Sequence, residues 1–305
     1  STASAASRQS RPKLLPLASG ELIAFWVSGD QSSGWNGDAV NYRAWDATSG
    51  WGTAYNIANL PTAGAATYPV VAIDAVQLAD TGEVVVMVLQ SIAGQVPILT
   101  RMVGSYSSGY VSGPLSTAFK PSTCTFQRQS FTSIRGMAME VLGNGRIAML
   151  LHDQNGGLWR SYSDDRGVTW AVWVLVTNSL ANAPGGVSMC RARTGSLVAI
   201  SPSLTLPVAN WTSGSNPRIR LFVSDDGDSW VQAVQASTAN NDGTTRITYG
   251  DGLLPEGCVE GAAVLCDDGH VRVFGAVHGD SGGAESTSVY DDLGMLTLKK
   301  RDITA

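Results

Sequence analysis

The chain is 305 residues long, with 15% charged residues, a net charge of −5 and 34 glycines. That balance, without any basic stripe, argues against nucleic acid or an anionic membrane as partner, and no apolar run approaches the roughly 20 residues that a membrane-spanning helix requires. Alternating patterns and short β-branched runs dominate and no segment keeps a helical period, so the chain reads as all-β.

In chain order, residues 1–10 read as a polar connection from a preceding segment, and 11–305 as one domain with no linker to divide it. Two interleaved series then recur. The first is a turn glycine followed by an apolar strand: Gly20 before Leu22 to Trp26, Gly82 before Val84 to Val88, Gly145 before Ile147 to Leu151, Gly195 before Leu197 to Ile200, and Gly269 before Val271 to Phe274. The second is a polar turn: Asp46 with Trp51, Ser105 with Tyr110, the segments Ser163 to Trp170 and Val223 to Trp230, and Asp292 with Gly294. These polar anchors lie about 60 residues apart, which makes the repeat one supersecondary unit. Each unit reads as a four-stranded antiparallel sheet. In the third, the strands are expected near 137–141, 146–151, 157–163 and 170–176. In the turns, an Asp carboxylate accepts backbone N–H groups, glycine supplies a positive φ, and the indole packs where the next strand begins. Asp46, Asp165 and Asp225 are therefore expected to hold turns, with Gly167 and Gly227 at their bends. Trp51, Trp170 and Trp230 are expected to be buried between repeats.

The cysteines and histidines keep no metal-ligand spacing, so no metal and no cofactor is expected. Cys190 and Cys266 read as buried thiols, whereas Cys124 lies in a long connection.

Segments 163–170 and 223–230 resemble the Asp-box of sialidase-like (BNR-repeat) β-propellers, and the resemblance runs along nearly the whole chain. It implies a β-propeller, five-bladed by the repeats present here, with six blades as the alternative. Ring closure hides the sheet edges. It also implies that function lies on the face opposite the Asp turns, where second and third strands connect. The connections 28–39, 90–95, 153–156, 201–216 and 278–286 are polar or Gly-rich, and Trp35 and Trp211 stand in two of them. Aromatic surface beside polar groups suits a sugar ring. The mouth should be lined by the starts of the innermost strands, near Arg11, 70–74, Arg135, 186–188 and 256–260.

Glu260 stands in a stretch resembling the one that carries a catalytic glutamate in sialidases, and Asp38 stands where the acid/base aspartate would be. The rest of the sialidase set departs from the pattern. The first clamp arginine should precede a proline by two residues. Ser10 holds that place before Pro12, and Arg11, one residue along, would face the other side of a regular strand. His278 is nearest to another expected arginine, and no tyrosine nucleophile is evident. The expectation is thus a non-catalytic recognition propeller that binds a glycan or cell-surface receptor through Trp35, Asp38, Arg135, Trp211, Glu256, Glu260 and His278. Its setting would be extracellular or on a virion, as a domain of a viral, phage or secreted adhesive protein that is multidomain or multimeric. A sialidase-like hydrolase and a protein-docking scaffold are the alternatives.

Overall fold

The structure, a computed structural model, describes residues 7–30, 39–57, 70–90, 98–105, 120–122, 134–153, 155–178, 186–203, 218–232, 236–239, 245–249, 252–254, 258–266, 269–278 and 290–298. Every regular element among them is a strand, and the strands form six antiparallel meanders. Sheet 1 comprises β1 (Ser7–Pro16), β2 (Leu22–Asp30), β3 (Ala39–Asp46), β4 (Gly50–Trp51) and β5 (Tyr55–Ile57), with β4 and β5 both paired to β3. Sheet 2 comprises β6 (Val70–Gln77), β7 (Glu83–Gln90), β8 (Ile98–Ser105) and β9 (Lys120–Ser122). Sheet 3 comprises β10 (Ile134–Val141), β11 (Ile147–Asp153), β12 (Leu158–Ser163) and β13 (Val174–Thr177). Sheet 4 comprises β14 (Ser188–Arg191), β15 (Leu197–Ser203), β16 (Arg218–Ser224) and β17 (Val231–Gln232). Two three-stranded sheets follow: β18 (Ala236–Ala239), β19 (Thr245–Tyr249) and β20 (Gly252–Leu254), then β21 (Cys258–Leu265), β22 (Val271–His278) and β23 (Tyr290–Leu298).

The turn glycines set this pattern. Gly20, Gly82, Gly195 and Gly269 have φ of 97°, 70°, 96° and 83°, and each N–H donates to the carbonyl three or four residues back. A second bond closes each hairpin, as from Leu78 N to Glu83 O at 2.8 Å. Five sheets carry such a glycine between their first two strands. The sixth, β18 to β20, falls where the sequence repeat shows neither signal, and was not anticipated. Four of the six sheets have four or more strands.

The second strands form the core. Residues 84–90 of β7 and all of β11 are buried on both faces, as their unbroken apolar runs demand. Each large apolar side chain so buried contributes roughly 1.5–3 kcal/mol. Contacts divide the chain into two compact units: Ser1–Ile134 with Asn144–Ile147 and Tyr162–Val172, and Arg135–Gly143 with Ala148–Ser161 and Trp173–Ala305. In the first, Phe25, Val27, Val40 and Tyr42 pack with Val84, Val86, Val88 and Met102. In the second, Ala148, Leu150 and Leu158 pack with Met189, Leu197, Ala199 and Phe222.

Within each unit, sheets also meet through or beside their first strands. Lys13 of β1 reaches Asp74 of β6 at 2.6 Å, and Ala18 N donates to Gln77 Oε1 at 2.8 Å. Arg191 of β14 donates to Val141 O at 3.0 Å, and Ser188 Oγ accepts Ala263 N at 3.2 Å. A Cβ on Gly136 would stand 2.4 Å from Gly186 Cα, so β10 meets the approach to β14 backbone to backbone. Cys190 is buried and Cys266 only half-buried, because it follows the end of β21. No helix of the described residues is long and apolar enough to cross a membrane.

Candidate functional site

Each meander has two ends. At one end are the glycine hairpins and the turns after the third strands. In sheet 3 these meet directly: Arg146 Nε donates to Asp164 Oδ1 at 2.7 Å and its guanidinium lies 4.0 Å over the Tyr162 ring. The turn itself is a closed network. Asp165 accepts from Ser163 Oγ and Thr169 N at 2.8 Å each and from Thr169 Oγ1 at 2.5 Å, while Ser163 Oγ accepts Gly167 N at 2.8 Å. Burial pushes the Asp165 carboxyl up, but hydrogen bonds from Thr169, Ser163 and Val168 outweigh it and hold the group below its ordinary value. Trp170 is 5% exposed and donates its indole N–H to Gly167 O at 3.1 Å.

Two assignments at this end need correction. In sheet 4 the turn carboxylate is Asp226 rather than Asp225: Asp226 Oδ1 accepts Asp228 N at 2.8 Å and Ser229 N at 2.6 Å, and Ser224 Oγ accepts Gly227 N at 2.9 Å. Counted from the serine, this turn matches that of sheet 3 but lacks one residue before the glycine, so aligning on the tryptophan selects the wrong aspartate. Trp230 is half-buried and again donates to the turn glycine's carbonyl, at 3.2 Å. In sheet 1, Asp46 Oδ1 accepts Thr48 N and Ser49 N at 2.7 Å each, but Trp51 is 42% exposed. Its strand resumes at Gly50 and pairs Trp51 with Trp45 on an edge, so the indole does not fold back over the turn. These ends also carry contacts between sheets: Arg101 of β8 donates to Arg166 O at 2.8 Å, Arg166 pairs with Asp80 and Glu83, and Arg160 of β12 pairs with Asp228.

The opposite end of each meander carries the start of its first strand and its second-to-third connection. Trp35, Asp38, Trp211 and Glu256 lie outside the described residues. Arg135 is the second residue of β10, Glu260 lies on β21 opposite Ala276, and His278 closes β22 opposite Tyr290; their side chains are outside the described residues too. The two ends differ in regularity. Of the five register shifts among the described residues, four fall in the last pairs at this end: Val70/Ala72, Leu158/Trp159, Cys258/Glu260 and Val277/His278. The fifth lies mid-strand in β1, between Ser10 and Lys13. At the Asp-turn end, β3 pairs Tyr42 with Tyr55 but Trp45 with Trp51, a one-residue offset where β5 gives way to β4. A bulge inserts one residue and re-aims the side chains beside it. Arg11 and Pro12 fall within the β1 shift, so the parity argument that turned Arg11 to the other face does not apply. Glu260 directly follows the β21 shift.

Sequence reasoning missed the charged pair just past the β1 shift, Lys13 with the buried Asp74. It also missed Asp153, which accepts Asn155 N, Gly157 N and Trp159 Nε1. A carboxylate closing an otherwise apolar strand was the available signal.

No protein-family model and no curated protein matches the chain. Solved structures do. A leech intramolecular trans-sialidase aligns over 98% of this chain and 57% of its own, with a TM-score of 0.57 and 10% identity. The NanB sialidase of Streptococcus pneumoniae aligns over 98% and 56%, with a TM-score of 0.54 and 12% identity. The α-L-arabinanase of Penicillium chrysogenum aligns over 97% and 95%, with a TM-score of 0.53 and 10% identity. The chain thus spans a little over half the length of the two sialidases. At these identities the likeness shows the fold alone, a β-propeller.

Proposed function

We propose that the chain is a recognition module that holds a glycan, or a glycan-bearing cell-surface receptor, at the end opposite the Asp turns, without cleaving it. The observation that carries this reading is the concentration of register shifts at that end, because bulges favour places where side chains are aimed at a ligand. A sugar as ligand is supported by the fold shared with sialidases and an arabinanase, and by Trp35 and Trp211 in the connections there. The absence of a complete arginine set and of a tyrosine nucleophile from the sequence pattern favours binding over hydrolysis. An extracellular or virion-surface setting within a larger assembly, where several weak sites add their affinities, accords with this role.

Glycoside hydrolysis is the second reading. The observation favouring it is that Glu260 and Arg11 both sit at register shifts on first strands. A broad glycan array including sialylated and arabinose-containing oligosaccharides, followed by analysis of the recovered glycans, separates the two. Binding without cleavage is expected. Cleavage abolished by E260Q would establish the hydrolase, and silence in both assays would leave a protein-docking scaffold.

A further inference from the structure

We infer that each compact unit holds an internal water molecule at the end of its core opposite the Asp turns, bound by the Thr100 hydroxyl in the first unit and by the Ser201 hydroxyl in the second. This does not depend on the glycan reading above. The two ends of the sheets treat buried hydroxyls differently. At the Asp-turn end, Ser163 and Ser224 are buried, and their hydroxyls accept the N–H of Gly167 at 2.8 Å and of Gly227 at 2.9 Å. The same hydroxyls donate to Asp165 at 2.8 Å and to Asp226 at 3.2 Å. At the other end, Thr100 is 5% exposed and Ser201 0%. Each of these two hydroxyl oxygens is sealed from solvent and has no hydrogen-bond partner among the described residues. Leaving such a group unmet costs more than an ordinary hydrogen bond contributes, so buried hydroxyls in native folds are met by protein or by ordered water.

Strand register supplies the water's second partner in each unit. Val88 pairs with Thr100 and Gln90 with Ile98, so Thr100 and Gln90 stand diagonally on one face of sheet 2. That face carries Val84, Val86, Val88 and Met102 in the core of the first unit. Diagonal positions lie about 7–8 Å apart, a span that one water closes between two polar tips. Gln90 is buried, and its side-chain oxygen is sealed from solvent as the Thr100 hydroxyl is. In the second unit, Ser201 continues the row Leu197, Ala199 of β15, and His152 continues the row Ala148, Leu150 of β11, since alternate residues of a strand share a face. The first two members of each row pack in one core, and His152, like Ser201, is 0% exposed. A hydroxyl beside an amide or an imidazole gives an enclosed water the two or more polar partners it needs. Because both layers are enclosed, their ligand is taken in as the chain folds, and water is the polar molecule present then.

The test is water–protein NMR on the whole chain, deuterated and methyl-labelled. A long-lived water is expected to give rotating-frame Overhauser peaks to the Thr100 methyl group and to the Ser201 amide. The Ser201 peak should vanish in S201A, and the peak at position 100 in T100V. Both substitutions remove a hydroxyl with little change of shape, so thermal unfolding reads a sign. Where the hydroxyl holds a water, its removal strands the water's other partner, and Tm should fall by about 2–4 °C in each variant. Where the hydroxyl has no partner at all, its removal relieves a buried polar group, and Tm should rise. A missing water peak at either residue in the wild type, or a rise in Tm for its variant, overturns the site in that unit. The wild-type spectrum decides even if a variant fails to fold.

Discussion

Arg166 is the one described non-glycine residue in the left-handed region, with φ of 62°. For an L-residue that conformation costs roughly 1–2 kcal/mol. It persists because the surroundings fix it: Arg101 takes its carbonyl, and its guanidinium pairs with Asp80 at 2.8 Å and Glu83 at 3.6 Å. Arg166 and Asp80 are mostly exposed, so the pairs contribute only about 0.2–1 kcal/mol between them. R166A removes the pairs and keeps the strain, and should destabilise by roughly that amount. R166G removes both, and the relief of strain outweighs glycine's extra unfolded-state entropy of about 0.5–1 kcal/mol. Glycine should therefore match or exceed alanine here, the reverse of their order at an ordinary position. Urea denaturation of the two variants, compared at the midpoint with equal slopes, measures that order. If R166A is the more stable by about 0.5–1 kcal/mol, the backbone is not strained and the argument fails.

Further outcomes follow from the same turns. W170A should cost roughly 3–5 kcal/mol, whereas W51A should cost far less, because Trp51 is 42% exposed; equal losses by calorimetry would contradict the difference in burial. D226A should destabilise by about 1 kcal/mol as a lost cap does, and D225A by little; the reverse order would restore the alignment on Trp230. Asp165 has a folded-state pKa below its ordinary 3.8, so its contribution is present above that value and is lost as pH falls through the lower folded value. The stability advantage of the wild type over D165N should hold at neutral pH and shrink below about pH 4 in acid titrations.

The parts of the fold that were legible were those where local chemistry decides. Glycines with positive φ followed by unbroken apolar runs mark the second strands, since such a run has nowhere to go but a core. What failed was counting. A one-residue deletion hid Asp226 behind Asp225, and the register shift between Ser10 and Lys13 in β1 leaves no mark in residue type. Strands β18 to β20 have Gly243 and Gly250 between them but no apolar run, so the paired signal of the repeat did not announce them. The grip of Asp153 on Trp159 spans six positions and depends on how the chain folds back, which no strand pattern encodes.

The irregular end has one consequence for mutagenesis. Each extra residue in a ladder releases a peptide N–H or C=O from its neighbour. Those groups belong to every amino acid alike, so contacts made through them survive almost any substitution. Side-chain substitutions at that end would leave such backbone groups in place, so an alanine scan there reads the side-chain contacts alone.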